Sequence, residues 1–234
     1  MLDLSPVSGE EEAMKRSDAE ILWEVASVLA RDAAKVSRAA GGARPNLPPL
    51  LFFTDPARTP RPWETAARLP AGSGVVLRHF GAADARDTAL RLREATAVRD
   101  GLLFIGLDAE LAEAVGADGV HLPERALHQA GGLAALRPDW RITGAAHSRA
   151  ALEGAAGLDA VVVSPVFPAG GGSARTPALG LAGFQALVAA APCPTYALGG
   201  INAVTAPELI GSGACGLAGV AAIAAAFGPD ARPG

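Results

Sequence analysis

From Leu50 onward the chain alternates short apolar runs with longer stretches whose apolar residues recur every three or four positions. The runs predict strands over residues 50–54, 74–78, 102–106, 119–122, 140–145, 160–164, 195–198 and 216–218. The periodic stretches between them predict helices, among them 88–98, 107–115, 148–156 and 182–190. Eight such strands, each followed by a helix-sized segment, predict an α/β fold, the (β/α)8 TIM barrel. A doubly wound sheet is the rival. It would place its glycine-rich phosphate turn after the first strand, and here such turns come last.

One helix is predicted ahead of the repeat. Ser17 and Glu20 form a capping box, and Ile21, Leu22, Val25, Leu29 and Val36 make one stripe of a helix running to about Ala40. Gly41 and Gly42 end it, and Arg44 to Pro49 is a stiff connector. The expected division is an N-terminal extension over 1–48, flexible through residue 16, a barrel over 49–228 and a tail over 229–234. The sequence leaves the helix two places, under the barrel or on a second copy of the chain in a homodimer.

Composition narrows the classes. The 234 residues are 50% hydrophobic and 19% charged, with 28 Gly and 18 Pro, which suits one compact fold with many short turns. The net charge of −4 and the absence of a basic run argue against a nucleic-acid partner. An acidic N-terminus and the lack of a long uninterrupted apolar run argue against a signal peptide and a membrane span, so a cytoplasmic location is expected. Cys193 and Cys215 each begin a predicted strand and are expected to be reduced and buried.

The candidate chemistry collects where predicted strands open into loops, because a barrel of this kind builds its site at the C-terminal ends of its strands. The stretch 196–223 reads as strand, Gly199-Gly200 turn, helix capped by Thr205 with Pro207 in its first turn, strand, and Gly219-Val220 turn. Two adjacent turns with bare backbone N–H groups make a phosphate grip. The plain alternative is that these glycines only relieve crowding. Elsewhere on the same face lie Thr54 and Asp55, Arg78 and His79, Asp108, His121 and Glu124, His147 and Ser148, and Ser164. His79 and His147, at loop openings, are the candidate proton-transfer residues. His121, inside an apolar run, reads first as a packed strand residue and second as a catalyst, and Asp108 and Ser148 read equally as helix caps. Residues 167–177, rich in glycine and carrying Arg175, read as a mobile lid. No spacing of His, Asp or Glu marks a metal site.

The motifs LLFFTDP, GVVLRHF, GADGVHLPE, GAAHS, DAVVVSPVFP, ALGL and ALGGINAVTAPELIGSGACGLAGVAAI occur in that order over about residues 50–223. Together they resemble the thiamine-phosphate synthase and thiazole tautomerase family. The resemblance implies a (β/α)8 barrel that holds a small phosphorylated thiazole. The synthase joins it to a pyrimidine pyrophosphate with magnesium, and the tautomerase shifts a proton within a carboxythiazole phosphate. The synthase pattern Arg-Glu-Lys after strand 2 is here Arg78-His79-Phe80, and Ile-Asn-Asp after strand 3 is Ile105-Gly106-Leu107. Gly-Gln-x-Asp after strand 4 is Pro123-Glu124-Arg125-Ala126, and Thr-x-Thr-Lys in the strand 6 loop is Ala169 to Gly172. The phosphate grip survives in Gly199, Gly200, Gly219 and Val220, with a pocket of Thr54, Arg78, His121, Ser164 and Arg175. His147 matches the histidine of the tautomerase motif Ser-Val-His-Ser. The resemblance therefore favours a tautomerase that needs no cofactor. The alternatives are a synthase, which would need magnesium, and a binding protein without chemistry.

Overall fold

A computed structural model describes residues 16–39, 47–170 and 175–231. Eight parallel strands close into a barrel in sequence order. They are β1 (Leu50–Phe53), β2 (Gly74–Leu77), β3 (Leu102–Gly106), β4 (Gly119–Leu122), β5 (Arg141–Ala146), β6 (Ala160–Val163), β7 (Thr195–Ala197) and β8 (Gly216–Gly219). Each lies within one residue of its predicted bounds. Leu51 pairs with Gly74 of β2 and also with Ala218 of β8, so the sheet has no open edge and the doubly wound alternative is excluded.

The apolar runs divide by parity. Leu51, Phe53, Val76, Phe104, Val162, Tyr196 and Ala218 fill the barrel interior. Their neighbours Leu50, Phe52, Val75, Leu103, Ile105 and Val161 pack outward against the helices. Both faces are dry, which is why the strands read as unbroken apolar runs. Tyr196 is fully buried, and its hydroxyl donates to the Pro48 carbonyl at 2.5 Å. Among the described residues these side chains pack the barrel interior below the mouth.

The helices are α1 (Asp18–Ala39), α2 (Pro62–Ala66), α3 (Ala85–Ala97), α4 (Ala109–Ala114), α5 (Ala130–Leu136), α6 (Arg149–Leu152), α7 (Gly180–Ala190) and α8 (Ala221–Phe227). The Ser17–Glu20 capping box forms in both directions, at 2.8 and 3.3 Å. Two helical expectations are corrected. The stretch 148–156 forms only the short α6, because Gly154 and a left-handed Gly157 end it. The helix expected after Thr205 is a single 3-10 turn, Ala206–Leu209. That shortfall leaves the outside of β8 to be covered, and α1 covers it, packing on β8, the 3-10 turn and α8. Leu22, Val25, Ala26 and Leu29 are buried there. The helix therefore lies mainly on the barrel's side rather than under it, with Ala33 reaching the interior cluster. Val36, placed in the buried stripe, is 69% exposed. Cys215 is buried as expected, while Cys193 is half-buried, with its thiol pushed up to about 11 by burial and then by Asp159. Among the described residues no helix is long and apolar enough to cross a membrane. The flexible segment expected over residues 1–16, the Gly41-Gly42 stop and the centre of the lid lie largely outside the described residues.

Candidate active site at the barrel mouth

Two cavities adjoin at the C-terminal ends of the strands. The larger, about 890 Å³, is walled by Phe53, Arg78, His79, Phe80, Asp108, His121, Arg125, His147, Val162 and Ser164. The smaller, about 340 Å³, lies among Asp55, Arg58, Gly199, Gly200, Asn202, Gly219 and Val220. Arg78, Phe80 and Leu198 belong to both walls.

The smaller cavity is built by backbone. Gly199 (φ 95°) and Gly200 (φ 69°) turn in the left-handed region, where an L side chain is strained. A Cβ on either would also lie within 2.7 Å of backbone atoms of residues 165–168. Thr205 does not cap a helix. Its hydroxyl donates to the Gly200 carbonyl at 2.8 Å and accepts from Asn202 N–H at 3.0 Å, bracing the turn. The N–H groups of Gly200 and Val220 donate to no backbone carbonyl among the described residues. Arg58 stands at the rim, paired with Asp55 at 2.8 Å.

Arg78 is the common wall. Its backbone N–H donates to the Thr54 hydroxyl at 3.0 Å and its Nε to the Thr54 carbonyl at 2.8 Å. Its guanidinium carbon lies 5.6 Å from the Phe53 ring centre and 5.7 Å from that of Phe80. Nη2 is buried, 3.7 Å from Asp55 Oδ2, with no hydrogen-bond partner among the described residues. A buried donor left in that state is costly until an acceptor arrives. Burial holds the guanidinium below its ordinary pKa, with Asp55 opposing.

The three histidines of the larger cavity have different states. His147 Nδ1 lies 2.7 Å from the Ser164 carbonyl and 3.2 Å from its hydroxyl. A carbonyl only accepts, so Nδ1 carries the hydrogen and Nε2 of the neutral ring is the acceptor. Glu124 fixes the same loop by accepting from His147 N–H at 2.7 Å. His79 is the reverse. Gly81 N–H donates to its Nδ1 at 3.1 Å, so its hydrogen sits on Nε2, 3.5 Å from Asp108 Oδ2. His121 is a strand residue in a dry wall, 3.0 Å from the Thr143 hydroxyl and edge-on to Phe53. Burial, then Arg78, pushes its pKa down to about 3, so it stays neutral.

Of the candidate residues, His79, His121, His147, Arg78 and Ser164 gather at the larger cavity, and Gly199, Gly200, Gly219 and Val220 at the smaller. Thr54 is buried behind Arg78 and orients it. Arg175 is exposed and lines neither cavity, a correction to its expected place. Asp108 and Ser148 do cap their helices, at 2.9 and 3.2 Å. Sequence reasoning missed Arg58, Arg125 and the wall made by Phe80. The available signal for Phe80 was a Phe-Gly pair in a tight turn after β2.

A family model described as thiamine monophosphate synthase matches residues 56–223. The thiamine-phosphate synthase of Methanoculleus marisnigri is 32% identical over 164 residues, which cover 67% of this chain and 78% of that protein. The thiamine-phosphate synthase of Mycobacterium bovis is 36% identical over 166 residues, covering 68% and 74%. A solved structure of thiamine phosphate pyrophosphorylase from Pyrococcus furiosus has a TM-score of 0.62 at 26% identity, covering 79% of this chain and 89% of that one.

Proposed function

We propose that this chain, which belongs to the thiamine monophosphate synthase family, binds a thiazole phosphate and joins it to a hydroxymethylpyrimidine diphosphate, releasing diphosphate. The observation that carries this reading is the pair of adjoining cavities with Arg78 in their common wall. A transfer must hold two substrates side by side, whereas a proton shift within one ligand needs one compartment. Relatives named thiamine-phosphate synthase support the same reading over the tautomerase that the sequence favoured.

In this reading the thiazole phosphate rests on the turns at Gly199-Gly200 and Gly219-Val220. The thiazole nitrogen bonds to the pyrimidine's methylene carbon as the carbon–oxygen bond to diphosphate breaks. Charge building on the leaving group needs cations aimed at it, and Arg78 and Arg125 line that cavity. The donor set does not fit a resident magnesium. Where the resemblance implies carboxylates stand the exposed Leu107 and the buried Ala126. Of the carboxylates near the mouth, Asp55 holds Arg58, Asp108 holds Leu111 N–H and Glu124 holds His147 N–H, which leaves Glu110 of the larger cavity's wall as the one without such a donor among the described residues. Magnesium asks for free hard oxygens, so neutralisation falls to the arginines.

The test supplies both substrates, with magnesium or with a chelator, and follows thiamine phosphate. Multiple turnover is expected in both conditions, falling at least about tenfold in R78A, where one charge-stabilising donor is lost. No product in either condition discards the transfer. A second reading then stands on the opposed tautomers of His79 and His147, a donor and an acceptor on one cavity. Solvent deuterium would exchange into a carboxythiazole phosphate, and H147A would slow that by about 10²–10⁴.

A further inference from the structure

The turn that leaves β2 carries a side chain its backbone disfavours. Ala82 N–H donates to the His79 carbonyl at 2.9 Å, closing a four-residue turn. Both central residues are left-handed, Phe80 at φ 49° and Gly81 at φ 79°. Turns of this kind select Gly, Asn or Asp at the first central position, because a larger side chain is strained there. Burial does not offset the strain, since Phe80 is 74% exposed. The turn is nevertheless pinned by Gly81 N–H on His79 Nδ1 at 3.1 Å. Arg78 lies 5.7 Å from the Phe80 ring centre, and Phe80 borders both cavities. Leu107 repeats the pattern on the β3 loop, left-handed at φ 63°, 41% exposed and on the larger cavity's wall. Strained backbone gathers where a side chain has a ligand to meet.

We infer that Phe80 is an aromatic platform, on which the planar ring of an aromatic phosphomonoester stacks where the two cavities join. The inference rests on the phosphate grip of the proposed function and adds the ring's seat and a residue that selects for it. An exposed aromatic face is matched by another planar π-system in offset or edge-on contact. An aliphatic phosphomonoester offers only its phosphate and chain. The turn's position fits the task, because Phe80 borders both the cavity of Gly200 and the cavity of His79.

Titration calorimetry with phenyl phosphate, propyl phosphate and inorganic phosphate tests this on the wild-type chain, F80G and F80W. The wild type should bind phenyl phosphate about five- to tenfold more tightly than propyl phosphate, the range expected of one aromatic contact. F80G should narrow that ratio to within about twofold and leave inorganic phosphate within about twofold of wild type, and F80W should restore the ratio. Glycine relieves the left-handed strain, so F80G should melt no lower than wild type, which separates lost stacking from lost folding. A preference for phenyl phosphate that persists in F80G overturns the platform and leaves the phosphate grip standing. Equal binding of the two esters by the wild type does the same. Failure to bind any of the three anions removes the grip itself, and the platform with it.

Discussion

His121 is 6% exposed in the wall of a cavity that it does not open onto as a charged group. Folded, its pKa is pushed down to about 3 by burial, while in the unfolded chain it titrates near the ordinary value of about 6.5. Below pH 6.5 the unfolded chain therefore takes up a proton that the folded chain refuses. The associated stability is fully present above that pH and is lost as pH falls toward 3. From pH 7 to pH 5 the loss is about 2 kcal/mol. Urea unfolding at pH 7 and pH 5 should show wild type losing about that much more than H121N. Equal losses would mean that His121 charges inside the folded chain. The sequence placed His121 within an apolar run, which already favoured a packed residue. Its partner Thr143 was hidden, because only the β4–β5 register sets residue 121 opposite residue 143.

At the level of elements, the two glycine turns differ in what they tolerate. A Cβ on Gly199 would meet Pro165 Cα at 2.6 Å, on backbone that cannot yield, and the residue is left-handed. G199A should therefore cost about 1–3 kcal/mol of stability, read as a lower denaturant midpoint. Gly219 is different, since a Cβ there meets only the tips of Ile223 at 3.0 and 3.1 Å. G219D sets a carboxylate beside the buried Ile223 and the cavity that Val220 lines, so it should lower the midpoint and, by like-charge repulsion, lose phosphate binding. Unchanged phosphate affinity in G219D would move the anion elsewhere. The turns were legible in the sequence as glycine pairs after apolar runs. The element between them was not, because Thr205 and Pro207 read as a helix start while the Thr205 hydroxyl is spent on the Gly200 turn.

For the whole molecule, the barrel depends on a helix from outside its repeat. Only a 3-10 turn connects β7 to β8, and α1 supplies the missing cover. Leu29, 2% exposed, packs in that contact. L29A should cost about 2–5 kcal/mol by lost burial and a residual cavity, measured by chemical unfolding. Phosphate affinity should stay within about twofold, because α1 borders neither cavity at the mouth. A large loss of phosphate affinity in a still-folded L29A would couple α1 to the site.

What the sequence determined by itself is the set of strands, their alternation with helices and the residues at the strand ends. Parallel strands buried on both faces must be apolar throughout, and turns with positive φ call for glycine, so both leave local marks. The tertiary structure alone decided which ends meet. Closure of β1 on β8 brings Asp55 and Arg78 to the cavity of Gly200 and Val220. It also decided the states of the histidines, since Ser164 orients His147, and the β2 and β3 loops bring His79 to Asp108. The seat of α1 was equally hidden, because an apolar stripe records that a helix face is buried and not which surface buries it. Local patterns encode burial, while distances between residues far apart in the chain come only from how the strands pair and the barrel closes.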